Sequence, residues 1–248
     1  MTYCVGVLGD NGLVFASDRR TNAGVDHIAT VRKMFVFEEP GERVVVLMTA
    51  GNLAITQAVV SLLDEACRSE PCDFALTTVP TMFQAARVVG DALREVHRRD
   101  GEHLQQQGVG FSASLLLGGQ IKGEAPRLFQ IYEAGNFIEA SPEMPFLQIG
   151  ETKYGKPVLD RLLAGATSLE ERAKCVIVSF TPTIRSNLSV GLPIDLLCYE
   201  TDSLKVTCRK TLEERDPYFD TLNRGWGEAL AKAFTELPPP PLGHQADS

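Results

Sequence analysis

Residues 2–18 read TYCVGVLGDNGLVFASD, and this stretch decides the fold. Two short runs of β-forming residues flank an Asp-Asn-Gly turn, and Asn-Gly between such runs is the strongest short-range signal for a hairpin. The free end of the first strand lies beside the far end of the second strand in an antiparallel hairpin. The sequence therefore predicts that Thr2 and Asp18 lie close together.

Two further strands are predicted downstream, at 33–38 and 43–50, joined by a turn sequence that contains Pro and Gly. Lys33 opens the first of these strands. Because adjacent strand ends share one edge of a sheet, we expect Lys33 to lie near Thr2 and Asp18.

The order of the predicted elements decides the fold class. Apolar periodicity predicts helices at 52–68, 81–98, 153–164, 168–181 and 216–234. Strand patterns recur at 109–118, 126–133, 137–140, 146–149, 194–200 and 203–209. Strands and helix pairs thus alternate in blocks without a regular βαβ repeat. This order predicts an α+β, four-layer αββα sandwich, in which two stacked antiparallel sheets are flanked by helix pairs.

Length and charge limit the possible functions. The chain has 248 residues, of which 44% are hydrophobic, and a chain of this length and composition suits one domain. We predict that domain over 2–235, followed by a Pro-rich, disordered tail at 236–248. The net charge of -8 argues against nucleic acid and against a basic membrane-binding surface. We find no apolar run that could span a membrane and no signal peptide, so the protein is predicted to be cytoplasmic.

The cysteine and histidine patterns argue against a metal site. The six cysteines form no Cys-x-x-Cys pair, and the four histidines are scattered. Zinc sites need clustered ligands, and cysteines of a cytosolic chain are mostly reduced and buried. We therefore expect reduced core thiols, no metal and no cofactor.

The start of the chain carries the predicted chemistry. Removal of Met1 would give Thr2 a free α-amine, with an ordinary pKa of about 7.7–8.0, that can act as a general base toward its own hydroxyl. Lys33 would favour a more acidic hydroxyl, and Asp18 would hold Lys33 by a charge-assisted hydrogen bond. Cys4 is an alternative nucleophile, but it lies inside the first strand pattern, which favours a buried thiol.

An oxyanion site is predicted where the fourth strand ends. The sequence Thr-Ala-Gly-Asn at 49–52 follows that strand and opens a helix. A glycine lets the backbone approach a ligand closely, and a helix N-terminus favours negative charge. This segment is therefore the candidate source of the backbone N–H donor that an oxyanion needs.

With these motifs, the chain resembles proteasome-type β subunits of the N-terminal-nucleophile (Ntn) hydrolases. The matching stretches are Thr2, SDRRTNAG at 17–24, Lys33, AGNLA at 50–54 and RSNLSVG at 185–191. Within that family the chain is most similar to the bacterial branch called Anbu, the ancestral β subunit, from TYCVG through the C-terminal extension.

The resemblance implies a role for each matching residue. Thr2 would be the nucleophile, Asp18 the orienting acid and Lys33 the catalytic lysine. Gly51 would be the oxyanion-hole glycine. Asn22 would contact the substrate backbone, and Ser189 would be a serine that hydrogen-bonds near the nucleophile. Gly51 would also contact the substrate. The resemblance implies no metal and no nucleotide.

Three positions depart from the family pattern. Lys33 stands one residue closer to Thr2 than in typical β subunits. Glu151 stands where the family has a second serine, and Ser186 stands where it has an aspartate. These last two changes remove part of the hydrogen-bond network around the amine, while the nucleophile, lysine and orienting acid remain.

Three functions are compatible with these residues. The first is a threonine-type peptidase that is activated by removal of Met1 alone and self-assembles into a homo-oligomer, either a ring or an open helical stack. The second is an inactive assembly subunit or peptide-binding scaffold, and the third is a hydrolase of small amides. Any ATP-driven unfoldase would be a separate protein, because this chain has no G-x-x-x-x-G-K-[ST] motif. We expect no nucleic-acid or membrane partner.

Overall fold

The first hairpin forms as predicted. In the computed structural model, which describes residues 1–22, 28–68 and 75–241, strand β1 (Tyr3–Gly9) pairs antiparallel with strand β2 (Gly12–Asp18). Gly9 lies opposite Gly12, which leaves a two-residue turn, and Cys4 lies opposite Ser17. This register places the start of β1 beside the end of β2.

The remaining strands of the described residues follow in chain order. They are β3 (Arg20–Asn22), β4 (Ile28–Thr30), β5 (Met34–Glu39), β6 (Arg43–Gly51), β7 (Ala113–Ile121), β8 (Arg127–Ile131), β9 (Phe137–Glu139), β10 (Phe146–Gly150), β11 (Ile194–Glu200) and β12 (Cys208–Leu212). The helices are α1 (Leu53–Arg68), α2 (Met82–Gln106), α3 (Lys156–Leu162), α4 (Leu169–Ser186) and α5 (Pro217–Thr235).

Two five-stranded antiparallel sheets form the centre of the fold. Their strand orders are β10-β1-β2-β11-β12 and β5-β6-β7-β8-β9, and β3 and β4 form a separate two-stranded ribbon. Helices α1 and α2 pack on the second sheet, and α4, with α3 beside it, packs on the first. The predicted α+β class and αββα sandwich are therefore confirmed.

Strand β6 explains why the layers stack in this order. Its residues alternate in direction, so Val44, Val46 and Met48 face the core between the two sheets, whereas Val45 and Leu47 face the core under α1 and α2. All five side chains are fully buried. A strand covered on both faces reads as a continuous apolar run, which is the pattern at 43–50.

Helix α2 is longer than predicted. The prediction ended it before Gly101, but it continues to Gln106. Gly101 is buried, and a Cβ there would lie 3.2 Å from the His97 ring, which packs edge-on against Phe111 at 4.6 Å between ring centroids. This glycine allows close packing inside the helix, and it does not end the helix.

The last strand is displaced from its prediction. It was expected at 203–209 and occurs at Cys208–Leu212. Asp202 and Leu204 have φ angles of 62° and 45°, in the left-handed region that a strand excludes. The chain turns there and enters β12 about five residues later than the apolar pattern indicated.

The described chain divides into two compact units, Met1–Glu214 and a second that begins at Arg215. The second contains α5, whose first turn is capped by Asp216 through hydrogen bonds from the N–H groups of Tyr218 and Phe219. A single domain over 2–235 stays a prediction. Residues 242–248 of the predicted tail, together with His27 and Cys72, lie outside the described residues.

Candidate active site

Asp18 is the centre of the candidate site. It ends β2, is fully buried, and its Oδ1 accepts hydrogen bonds from Lys33 Nζ at 2.8 Å and from the Tyr3 N–H at 3.0 Å. Tyr3 follows Thr2 directly in the chain. One carboxylate oxygen therefore joins Lys33 to the residue after Thr2, and the sequence-predicted trio lies in one region of the fold.

Lys33 is fixed by two backbone contacts as well as by Asp18. Its Nζ donates to the Arg20 carbonyl at 2.6 Å, and its own carbonyl accepts from the Thr49 N–H at 3.0 Å. The residue is 5% exposed and immediately precedes β5. The turn after β2 and the end of β6 thus hold the lysine from two sides. The contribution of Arg20 comes from its carbonyl and was not predicted from the sequence.

The electrostatics of the pair combine two opposing effects. Burial raises the pKa of the Asp18 carboxyl above its ordinary value, whereas the Lys33 ammonium and the Tyr3 N–H lower it. A salt bridge in such a buried place is costly to break, because either partner alone would be an uncompensated charge. The arrangement is suited to keeping an ammonium group in a fixed position.

A second, partly buried ion pair fixes the chain just beyond Asp18. Arg19 donates twice to the carboxylate of Asp195, Nε at 2.7 Å to Oδ2 and Nη2 at 2.6 Å to Oδ1. Asp195 lies on β11, directly beside β2 in the sheet. This bidentate pair fixes the backbone that leads from Asp18 to the Arg20 carbonyl.

Thr2 is held through its backbone. Its carbonyl accepts the Glu151 N–H at 2.6 Å. Gly150, the residue before Glu151, has a φ of 84°. A Cβ at Gly150 would lie 1.9 Å from the Thr2 carbonyl oxygen, so only glycine allows the two backbones to come this close. Met1 precedes Thr2 and is 62% exposed.

Gly51 occupies the predicted turn between β6 and α1. Its φ is 116°, and a Cβ there would lie 2.3 Å from the carbonyl oxygen of Ser112. Asn52 follows, and its side-chain oxygen accepts the Ala54 N–H at 3.0 Å at the start of the helix. The glycine is therefore required by the backbone path, and it lies exposed where a helix begins.

Cys4 lies in the core, where its strand pattern placed it. It is fully buried in β1, and its sulfur donates to the Thr49 carbonyl at 3.7 Å. Burial raises the pKa of its thiol, and Lys33 offsets only part of this effect. A thiol held in its protonated form is a poor nucleophile, so the geometry does not favour Cys4 as an alternative to Thr2.

The loop after α4 places the remaining predicted residues. The Ser189 N–H donates to the Asn187 side-chain oxygen at 2.9 Å, and Asn187 Nδ2 donates to Glu151 Oε2 at 2.9 Å. Ser186, which stands at the family's aspartate position, is exposed at the end of α4. Asn187 therefore joins the loop after α4 to Glu151, whose N–H binds the Thr2 carbonyl, and the sequence analysis did not predict this link.

Asn22 is placed by its backbone alone. It ends β3, opposite Ile28 of β4, at one end of the ribbon. The ribbon follows Arg20, whose carbonyl binds Lys33. A contact between Asn22 and substrate stays a prediction.

Within residues 1–22, 28–68 and 75–241, no cluster of His, Cys, Asp and Glu is arranged to hold a metal ion. No helix in these ranges is both long and apolar enough to cross a membrane.

Comparison with known proteins identifies the family. The profile of the proteasome subunit family matches residues 2–190. The chain belongs to the proteasome subunit family. No curated protein matches it.

Solved structures of Anbu, the ancestral β subunit, are similar over nearly the whole chain. Anbu from Yersinia bercovieri is 49% identical, with a TM-score of 0.90, and the match covers 98% of this chain and 100% of that one. Anbu from Hyphomicrobium sp. strain MC1 is 51% identical, with a TM-score of 0.88 and coverage of 96% and 99%. The Anbu complex from Pseudomonas aeruginosa, described as a helical assembly, is 49% identical, with a TM-score of 0.91 and coverage of 97% and 99%. The resemblance to the Anbu branch is thus confirmed.

Proposed function

We propose that the protein is a threonine-type peptidase of a self-compartmentalising, proteasome-like assembly, with Thr2 as nucleophile after removal of Met1. The observation that carries this proposal is the shared hydrogen bonding at Asp18 Oδ1, which accepts from Lys33 Nζ and from the Tyr3 N–H. It fixes an ammonium group beside the start of β1. A fixed positive charge there favours the ionised form of a hydroxyl nucleophile.

The reaction is an acyl transfer. The Thr2 hydroxyl oxygen attacks the peptide carbonyl carbon while its proton passes to the Thr2 α-amine. The Gly51 N–H stabilises the oxyanion, and the peptide C–N bond then breaks as the leaving amine takes up the proton. Water attacks the resulting ester, with the α-amine again as base, and releases the carboxylic acid and free Thr2.

Assembly is proposed from the relatives. The Pseudomonas aeruginosa relative is described as a helical assembly, and this chain matches it over 97% of its length. We propose a homo-oligomer, open or ring-shaped, whose active sites face a shared interior that admits unfolded chains. Analytical ultracentrifugation at several concentrations tests this point, with a stable multimer expected.

Hydrolysis of a fluorogenic peptide panel, with intact mass measured in parallel, tests the catalytic proposal. The wild type is expected to lack one methionine residue and to cleave at least one peptide. The matched control Thr2→Ser keeps a hydroxyl and is expected to retain turnover, whereas Thr2→Ala is expected to lose it.

The same panel distinguishes the alternatives. Cleavage of small acyl amides but of no peptide would favour an amidase. A trimmed terminus without turnover of either class would favour the assembly or scaffold function and would contradict the peptidase proposal.

A further inference from the structure

Glu151 is a buried carboxylate next to Thr2. It is 5% exposed, and its own N–H donates to the Thr2 carbonyl. Within one residue the α-nitrogen and the carbonyl carbon are about 2.5 Å apart, as bond lengths of 1.46 and 1.52 Å imply. Because the Thr2 carbonyl oxygen is 2.6 Å from the Glu151 nitrogen, the Thr2 α-nitrogen lies within about 6 Å of the Glu151 backbone, a distance that a glutamate side chain can span.

Asn187 holds the Glu151 carboxylate in one orientation. The Asn187 side-chain oxygen accepts the Ser189 N–H at 2.9 Å, so its NH₂ group must point the other way, toward Glu151 Oε2 at 2.9 Å. The Asn187 N–H donates to the Thr183 carbonyl at the end of α4, which fixes the residue itself. Asn187, at the end of α4, thus orients the Glu151 carboxylate.

The carboxylate has a neutral donor but no cation. Among the described residues, no Lys, Arg or His forms a salt bridge with Glu151. A buried charge is costly unless it is paired. Removal of Met1 would create an ammonium group on Thr2, at the residue whose carbonyl Glu151 already binds.

We propose that Glu151, oriented by Asn187, is a positioning residue that binds the α-ammonium of processed Thr2. The inference rests on the proposed removal of Met1. Glu151 holds the α-amino group in place, and it replaces a neutral serine of the family pattern with a negative charge. Only the deprotonated amine can accept the Thr2 hydroxyl proton, so the reactivity of Thr2 is expected to rise with pH through the α-amine pKa.

The charge has a consequence for titration. An opposite charge nearby favours the ionised form of an amine and raises its pKa by about 1–3 units. Asp18 accepts the N–H of Tyr3, the residue after Thr2, and it is paired with Lys33. Glu151 forms no ion pair among the described residues. It is therefore expected to set the direction of the shift.

Titration of the α-amine tests the proposal without relying on peptidase activity. Protein that begins at Thr2 is produced by cleavage of a removable N-terminal fusion, and the rate of α-amine acylation is followed against pH by mass spectrometry of the N-terminal peptide. Glu151→Gln is expected to lower the α-amine pKa by about one unit or more. Glu42→Gln, which removes an exposed carboxylate paired with Lys122, is the matched control and is expected to leave it unchanged.

Two further results decide the outcome. Glu151→Ser, which restores the family's hydroxyl, is expected to lower the α-amine pKa as Glu151→Gln does, and it serves if the glutamine variant does not fold. An α-amine pKa equal to the wild-type value in the folded variants would overturn the role of Glu151. Absence of peptide turnover with the predicted pKa shift intact would instead contradict the peptidase proposal alone.

Discussion

The Asp18–Lys33 pair is buried, and its two partners depend on each other. The Lys33 side chain is 6% exposed and that of Asp18 is fully buried. We expect Lys33→Met to lower the free energy of unfolding by about 3–5 kcal/mol, because it leaves an uncompensated buried carboxylate. Urea unfolding at neutral pH measures this loss.

An exposed ion pair supplies the control for that variant. Lys122 and Glu42 are 2.8 Å apart, with side chains 61% and 59% exposed. Lys122→Met is expected to change the free energy of unfolding by less than about 1 kcal/mol. Equal losses in Lys33→Met and Lys122→Met would contradict the structural role of the buried pair.

Protonation of Asp18 links the site to pH. Burial raises the pKa of this carboxyl in the folded state, so the native state binds the proton more tightly than the unfolded chain, whose value is about 3.9. The stability that Asp18 contributes is therefore greatest below pH 4 and declines as pH rises through the raised pKa. Reactivity of Thr2 should follow the opposite course, because only the charged carboxylate holds Lys33.

Paired titrations of wild type and Asp18→Asn measure this effect. The free energy of unfolding of the wild type is expected to fall relative to that of Asp18→Asn as pH rises from 4 to 7. If it rises relative to that of Asp18→Asn over this interval, the pKa of Asp18 is lowered in the folded state.

At the level of elements, Gly51 connects β6 to α1 by a backbone path that excludes side chains. A Cβ at Gly51 would lie 2.3 Å from the Ser112 carbonyl oxygen and 2.9 Å from the Ala113 Cα, both of them backbone atoms. Gly51→Ala is expected to destabilise the protein by more than the roughly 1–3 kcal/mol of a strained φ angle, and to abolish reaction at Thr2.

Gly123→Ala is the matched control for this substitution. Gly123 also has a positive φ, of 88°, but a Cβ there would meet nothing within 4 Å. Gly123→Ala should show only the cost in stability of a positive φ angle, and Thr2 should stay reactive in this variant. Similar stability and reactivity in the two variants would show that the close approach at Gly51 is unimportant.

Elements with strong local signals were predictable, and contacts between distant elements were not. The first hairpin follows from a turn sequence between two apolar runs, and strand 194–200 was predicted with its observed bounds. The link between Glu151 and Asn187 joins residues 36 positions apart, and no local pattern encodes it. Helix α2 was predicted too short because Gly101, usually a helix breaker, lies inside the helix and packs against the His97 ring.

At the scale of the whole molecule, the stacked sheets bring the site together from separate parts of the chain. Asp18 ends β2 in one sheet, whereas Lys33 precedes β5 and Gly51 ends β6 in the other. The site therefore exists only when both sheets are stacked. This dependence also explains why the motif spacing could predict the grouping of Asp18 and Lys33 but not the distances between them.

The central claim is that Thr2 becomes a free and activated N-terminal nucleophile. Intact mass spectrometry, before and after treatment with an N-terminal-threonine-directed epoxyketone, tests it most directly, with Thr2→Ala as control. We expect loss of the mass of one methionine residue and the gain of one adduct per chain, and no adduct on Thr2→Ala. A retained methionine, or a trimmed chain that takes up no adduct, would contradict the account.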